Sequence, residues 1–236
     1  ARKNHLEMHI AGKIAKNAST KSGGGVQVGS ADLKIENGAE IVSNVANSSG
    51  GGIQIGSNSS FIMRGGLVSD NTAERMGGGI YFNCNPGGEL GITGGTISNN
   101  TAREMGGGIQ IGTGLTVSLA DCAIIGNTAN KNGGGIQANP GVALTLTDCT
   151  VTKNASKDGN GGGLYVSGPH KNNGGSTTFS GTVTIDNNTS FLNGSNAYIN
   201  GIDAVTTFDN LNENSKIGMA WNANNVASEG TPVVIN

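Results

Sequence analysis

Apolar and polar residues alternate along the chain in short stretches that recur every 27 to 29 residues. The first stretch of each repeat follows a glycine triad, and the six stretches read VQV, IQI, IYF, IQI, IQA and LYV. Alternation over three residues is typical of a β-strand with one buried face. We therefore expect strands at 26–28, 53–55, 80–82, 109–111, 136–138 and 164–166, paired in parallel and in unbroken register.

Two further alternating stretches follow in each repeat, represented by LKI and FIM and by AEIVSN and GTISNN. A unit of three short strands is too small to bury its own apolar face and must stack on its neighbours. The sequence predicts an all-β fold, a right-handed parallel β-helix with three strands per coil of about 27 residues. The whole chain, 1–236, is expected to form one solenoid, with regular coils over about 6–190 and irregular coils or a cap over about 191–236.

An asparagine precedes each glycine triad by six or seven residues, at Asn17, Asn44, Asn71, Asn100, Asn127 and Asn154. Because coils stack in register, these side chains should hydrogen-bond to one another as a ladder inside a turn. The glycines are expected to allow turns with positive φ and a close approach between adjacent coils.

The charged pair Glu74–Arg75 recurs in inverted order as Arg103–Glu104. With the asparagines aligned, Glu74 lies one coil from Arg103, and Arg75 one coil from Glu104. Since like charges in register are unfavourable, the inversion indicates that opposite charges are stacked across coils. Lys131 continues the alternation next to Glu104.

A column five positions before each asparagine is restricted to small residues, namely Gly12, Ala39, Gly66, Gly95, Cys122 and Cys149. Cys122 and Cys149 are neighbours in this column, so their separation allows a disulfide. Such a bond gains little where stacked strands already fix the geometry. Free buried thiols are the expected state, and Cys84, in a turn, is not expected to join a disulfide.

Composition and charge exclude several classes of protein. A net charge of −2 gives no electrostatic attraction to nucleic acid or to an anionic membrane. No apolar run approaches the ~18 residues of a membrane span. The histidines have no metal-like spacing to a cysteine, so neither a metal nor another cofactor is expected. The chain has no signal peptide, which favours a mature product or an excised fragment.

Six residues at the outward centre of the first strands form what we call the Gln/Tyr column, namely Gln27, Gln54, Tyr81, Gln110, Gln137 and Tyr165. Such side chains can stack on and hydrogen-bond to sugars. Glutamine over glutamine can equally extend amide ladders outside the coil. Two long turns, at 83–89 and 167–177, border the column on one edge, where insertions often mark a binding face. The candidate ligand-binding residues are the six of the column and His170.

Enzymes of this architecture that degrade polysaccharides need carboxylates or a basic residue converging on one sheet. The predicted outward positions carry no such group. Lys13 and Glu40 are the nearest to one, and we expect them to pair across adjacent coils. No catalytic residue is therefore assigned.

The alternation of GGGI with [IV]xxN over residues 11–166 resembles the GGA[ILV] and FxxN repeats of chlamydial polymorphic outer-membrane proteins. It is also similar to repeats of adhesin-like surface proteins of gut bacteria and archaea. The segment INGIDAVTTFDNLNENSKIGMAW resembles the stretch that closes such arrays. This chain has GGG rather than GGA and no Phe in the FxxN position.

The resemblance implies a secreted or cell-surface protein with adhesion as its role. The sequence thus favours a non-catalytic, extracellular adhesin-like module that binds a host or environmental glycan or surface protein, or that acts as a stalk. A polysaccharide-degrading lyase or glycoside hydrolase and a self-associating filament subunit are the alternatives.

Overall fold

The repeats fold into coils that stack on one another, and the computed structural model describes residues 6–168, 175–200, 205–211, 214–223 and 226–228. The chain is an all-β parallel β-solenoid of about seven turns with about 27 residues per turn. The described residues contain no helix.

Each of the first seven coils contributes one strand to each of four sheets, which we name A to D in chain order, and the strands from Val205 onwards add to sheets A, B and D. Sheet A contains Leu6–Ile10, Ala31–Ile35, Ser60–Met63, Leu90–Ile92, Thr116–Ala120, Ala143–Thr147, Ser176–Gly181 and Val205–Leu211. Sheet B contains Lys13–Ala15, Glu40–Val42, Leu67–Ser69, Thr96–Ser98, Ala123–Ile125, Thr150–Thr152, Thr184–Asp186 and Lys216–Ile217.

The other two sheets complete the coil. Sheet C contains Ala18–Ser19, Val45–Ala46, Thr72–Ala73, Thr101–Ala102, Thr128–Ala129, Ala155–Ser156 and Thr189–Ser190. Sheet D contains Val26–Val28, Ile53–Ile55, Ile80–Phe82, Ile109–Ile111, Ile136–Ala138, Leu164–Val166, Ala197–Asn200, Met219–Ala223 and Val226–Ser228. The last two strands of sheet D pair antiparallel, and all other recorded pairs are parallel.

Sheet C differs from the prediction of three strands per coil. Its strands are two residues long, and each follows a ladder asparagine directly, as Thr72–Ala73 follows Asn71. Their inward alanines are fully buried, for example Ala73 and Ala102. The Asn-Thr-Ala repeat was the available signal, but two residues are too few to show a period.

The predicted register of sheet D is confirmed over its first six strands. Val26 pairs with Ile53, and the same offset continues from strand to strand as far as Leu164. The inward side chains of sheets A, B and D form one apolar cluster along the stack. Within it, Phe61 and Phe82 meet edge to face, with ring centroids 5.3 Å apart. The core is therefore one apolar column along the stack, and each coil adds a layer to it.

The asparagine ladder is confirmed and is longer than predicted. Each Nδ2 donates to the Oδ1 of the next asparagine at 2.9–3.0 Å, from Asn17 as far as Asn188. Asn196 accepts from Asn188 at 3.3 Å and ends the ladder. Asn196 stands where earlier coils have the third glycine, because residues 194–196 read GSN. The last coil that carries a ladder asparagine thus supplies its own cap for the ladder.

The glycine triads have the two roles expected of them. The first glycine of each triad has a positive φ of 64–68°, as at Gly106. The second lies against the next coil, since a Cβ on Gly107 would be 2.3 Å from the carbonyl oxygen of Gly134. These positions therefore hold the coils at backbone contact.

The stacked charges are also as predicted. Arg103 Nη1 lies 3.1 Å from Glu74 Oε2, and Arg75 Nε lies 3.8 Å from Glu104 Oε2. Lys131 hydrogen-bonds to Glu104 through the backbone at 2.7 Å, and no ion pair between their side chains is recorded among the described residues. The inversion therefore has a structural role.

Reversing one pair should cost a small amount of stability. We expect Arg103→Glu with Glu104→Arg to lower the free energy of unfolding by roughly 0.5–1 kcal/mol, because it stacks like charges at exposed positions. Adding Glu74→Arg and Arg75→Glu should recover most of the loss. Urea unfolding of the parent, of each reversal alone and of the double reversal measures this coupling, which should shrink at high salt. Strictly additive effects would contradict the stacked arrangement.

Candidate functional site

The structure places the predicted Gln/Tyr column on one line across sheet D. Gln27 pairs with Gln54, Gln54 with Tyr81, and the register continues through Gln110 and Gln137 to Tyr165. One further residue, Tyr198, extends the column in the next coil. The column therefore runs along most of the stack.

Exposure differs strongly along this column. Gln27 is exposed and Tyr81 is half-buried, whereas Gln110 is 0% exposed and Gln137 is 1% exposed. The backbone of the glycine turn covers one side of Gln110, since a Cβ on Gly106 would lie 2.8 Å from Gln110 Cβ. The outward direction of a strand residue thus does not make it accessible here.

The buried glutamines are held by residues of the following coil. Gln110 Nε2 donates to Asn139 Oδ1 at 3.0 Å, and Gln137 Nε2 donates to Ser167 Oγ at 3.1 Å. Neither bond joins one glutamine to the next. The column is therefore not an external copy of the asparagine ladder.

Three side-chain oxygens of the column are buried and accept no hydrogen bond from the part of the chain that the structure describes, namely Oε1 of Gln54, Gln110 and Gln137. Most buried polar atoms in proteins are hydrogen-bonded, and an unpaired one is costly. Among the described residues, the buried side-chain oxygens and nitrogens that lack a hydrogen bond thus all lie in this column.

Aromatic rings occupy the C-terminal end of the column. Tyr165 and Tyr198 stack with ring centroids 5.5 Å apart, and Asn200 Nδ2 donates to the Tyr165 hydroxyl at 3.2 Å. Burial raises the pKa of Tyr165, which the Asn200 hydrogen bond partly offsets. Burial also raises the pKa of Tyr81, partly offset by Arg75. Both phenols therefore stay neutral at physiological pH and can act as hydrogen-bond donors.

Both long turns leave sheet D and enter sheet A, as predicted. The turn at 83–89 is largely exposed, and Cys84 within it is half-buried. The turn at 167–177 is described only in part, and His170 lies outside the described residues. The structure thus brings the column, the turn at 83–89 and the described ends of the turn at 167–177 to the same side of the coil.

A group of charged residues that the sequence analysis missed lies on sheet A in the first three coils. Glu36 Oε1 lies 2.9 Å from His9 Nδ1 and 3.4 Å from Arg64 Nη1. Glu7 Oε1 lies 3.4 Å from His9 Nε2 and also contacts Lys34 Nζ. We call these five residues the sheet A charge cluster.

The expectation that no charged residues converge on one sheet is therefore wrong. The strand Leu6–Ile10 was not recognised, although its sequence LEMHI alternates, and its register sets His9 beside Lys34. Each carboxylate of the cluster faces a basic residue, so the cluster is a network of surface ion pairs. The predicted pair Lys13–Glu40 is confirmed, with 2.6 Å between Nζ and Oε2.

An open groove of about 450 Å³ lies at the corner between sheets A and B, beside this cluster. Its floor is rich in glycine, with Gly65, Gly66 and Gly95 among the lining residues, and Glu40 and Arg64 stand at its sides. The groove has little apolar lining, so we expect any ligand that it binds to be polar.

The described residues contain no group of three or more His, Cys, Asp or Glu side chains arranged to hold a metal ion. In the same part of the chain, no helix is both long and apolar enough to cross a membrane. Comparison of the chain with family models, with curated proteins and with solved structures finds no match.

Proposed function

We propose that this chain is a non-catalytic repeat module of a secreted or cell-surface protein, adhesin-like, which binds a glycan or a surface protein or acts as a stalk. The observation that carries the proposal is the unbroken ladder from Asn17 to Asn196, which runs through every regular coil. Such a repeated stack makes a rigid body with extended side surfaces and no deep cleft.

The repeat motifs support the same proposal. Triads of GGG with [IV]xxN resemble the repeats of polymorphic outer-membrane proteins and of adhesin-like surface proteins. Recognition is proposed for the edge where sheet D turns into sheet A, because the exposed turn at 83–89 follows Tyr81 there and meets the accessible part of the Gln/Tyr column. In this column, the side chains that are exposed or half-buried in the first three coils are those of Gln27, Gln54 and Tyr81.

The sheet A charge cluster favours a second candidate, an enzyme that cleaves polysaccharides. Two carboxylates, an imidazole and two basic side chains are the groups that acid–base chemistry on sugars requires. Against it, Glu7 and Glu36 are both occupied by ion pairs.

The two candidates differ in what happens to a bound polysaccharide. The purified chain should be screened on arrays of glycans and of surface proteins, and every polysaccharide that binds should be incubated with it and its length distribution measured. Retention with unchanged length supports the proposed module. Shortening of the polymer, lost in Glu36→Gln, would establish the enzyme instead, and concentration-dependent growth of long assemblies without any ligand would establish a filament subunit.

Once a ligand is found, Tyr81 is the residue to change first. We expect Tyr81→Ala to weaken binding about tenfold, because the exposed part of an aromatic ring supplies stacking area at the proposed edge. Thr116→Ala, at an exposed position of sheet A, is the matched control and should bind as the parent does. Titration by calorimetry together with unfolding curves measures both properties. Equal affinity of the two variants would remove the column from the binding site.

A further inference from the structure

Two buried thiols face each other at the corner between sheets A and B. Cys122 Sγ and Cys149 Sγ are 3.5 Å apart, and both cysteines are free. Cys122 is 4% exposed and Cys149 is 0% exposed. Two thiols at van der Waals distance inside an apolar core can be oxidised to a disulfide.

The backbone geometry on both sides of this pair suits a disulfide. The residues that follow, Ala123 and Thr150, pair in register, and Thr150 N donates to Cys122 O at 3.0 Å. Neighbouring strands are about 4.8 Å apart, which lies within the Cα separations of about 4.4–6.8 Å that disulfides adopt. Since the bonded sulfurs need about 2.05 Å, side-chain rotation supplies most of the closure.

Each of the two thiols has the other as the nearest cysteine with which it can react. The same column holds Gly95 one coil before Cys122 and Val183 one coil after Cys149, so no other cysteine adjoins the pair in the column. Cys84 lies at a different corner, between sheets D and A. The position also accepts a smaller side chain, since Ala39 occupies it, buried, in the second coil.

We propose that Cys122 and Cys149 form a disulfide between adjacent coils when the chain meets an oxidant such as a small-molecule disulfide. This modification is independent of what the module binds. It closes a covalent loop between two coils in the middle of the stack, where the ladder and the core are complete on both sides.

The reaction balances as two successive thiol–disulfide exchanges. The thiolate of one cysteine of the pair attacks one sulfur of oxidised glutathione, forming a mixed disulfide and releasing one glutathione thiolate. The thiolate of the other cysteine then attacks the protein sulfur of that mixed disulfide and releases the second. The protein loses two electrons and two protons, and the oxidant becomes two molecules of reduced glutathione.

The surroundings favour the protonated thiols in the folded chain. The hydrogen bond to Cys149 and burial raise the pKa of Cys122. Cys149 Sγ also donates to Leu119 O at 3.3 Å and to Thr147 O at 3.2 Å. The thiolate is the nucleophile, so a proton must leave the pair before exchange begins. Because both sulfurs are buried, closure should be slow in the folded chain and rapid during refolding.

The test is refolding of the reduced, unfolded chain in a glutathione buffer, followed by acid quenching, alkylation and peptide mapping. All three cysteines stay in place, so three pairings compete. We expect the Cys122–Cys149 peptide to dominate and Cys84 to be alkylated. A mixture of the three pairings, a bond to Cys84, or alkylation of all three thiols would overturn the proposal.

A second measurement separates the bond from the side chains themselves. The stacked strands already fix the geometry of the folded chain, but the bond also restricts the unfolded chain, so the gain is larger than was expected from the sequence. Closing a loop of this length should raise the folded-to-unfolded ratio by up to on the order of a hundredfold, and the oxidised protein should unfold at higher urea than the reduced protein. In Cys149→Ala the oxidised and reduced preparations should unfold together. If the oxidised and reduced forms of the parent protein unfolded at the same urea concentration, strain in the bond would cancel its effect, and a stabilising disulfide would be rejected.

Discussion

Replacing Gly107 with alanine is expected to abolish the cooperative fold or to destabilise it by more than about 4 kcal/mol. The added Cβ would lie 2.3 Å from Gly134 O and 2.5 Å from both the carbonyl carbon and the oxygen of Thr128. These are backbone atoms of the next coil, so no side-chain rotation relieves the contact. Relief requires the two coils to separate, which breaks the ladder bonds beside the triad.

The chain contains a matched control for this substitution. Gly29 directly follows the first strand of sheet D, whereas Gly107 precedes a strand of the same sheet, and a Cβ on Gly29 would meet nothing within 4 Å. Gly29→Ala should therefore change the free energy of unfolding by no more than about 0.5 kcal/mol. Circular dichroism and urea unfolding of both variants check the expectation. Similar stability of the two would show that the coils do not approach as closely as 2.3 Å implies.

The fold could be predicted from the repeats because the same packing and hydrogen-bonding constraints recur in every coil. The second glycine of a triad lies against a carbonyl oxygen of the next coil, so a larger residue does not fit there. A ladder asparagine donates a hydrogen bond to one neighbour and accepts one from the other, so a single substitution breaks both contacts. Sheets A, B and D and the register of sheet D followed from these columns. Sheet C did not, because strands such as Thr72–Ala73 span a single two-residue period and cannot show an alternation.

The ends of the ladder were harder to predict than its middle. Asn188 follows Asn154 by 34 residues because the long turn at 167–177 adds to the coil, so the regular spacing is lost. Asn196 is eight residues further and fills the space that a glycine leaves in earlier coils. Neither position can be found by counting, since each depends on where a loop returns the chain.

Accessibility of the candidate site was the least predictable property. Alternation shows that Gln110 points away from the core, and this is correct. It does not show that the glycine turn and Asn139 enclose that side chain, since those contacts come from residues of its own turn and of the next coil. In a solenoid the outer face is thus partly built by neighbouring repeats.

Asn100→Ala is expected to lower the free energy of unfolding by roughly 3–5 kcal/mol. Asn100 Nδ2 donates to Asn127 Oδ1 and to Val68 O, each at 2.9 Å. Its Oδ1 accepts from Asn71 N at 3.0 Å and from Asn71 Nδ2 at 2.9 Å. Alanine removes all four bonds at a site that is 0% exposed, and it leaves Asn71 N and Val68 O buried without the partner they had.

Two further variants separate the hydrogen bonds from the space that the side chain fills. Asn17→Ala removes the same residue from the exposed first coil, where water replaces the lost partner, and should cost less than about 1 kcal/mol. Asn100→Asp keeps the shape and one acceptor but places an oxygen against Asn127 Oδ1 and Val68 O, so it should destabilise at least as much as alanine. Urea unfolding of the three variants at neutral pH measures the differences. If Asn100→Asp were as stable as the parent, the ladder would contribute shape rather than hydrogen bonds, and the stack would depend on its apolar column and glycine contacts alone.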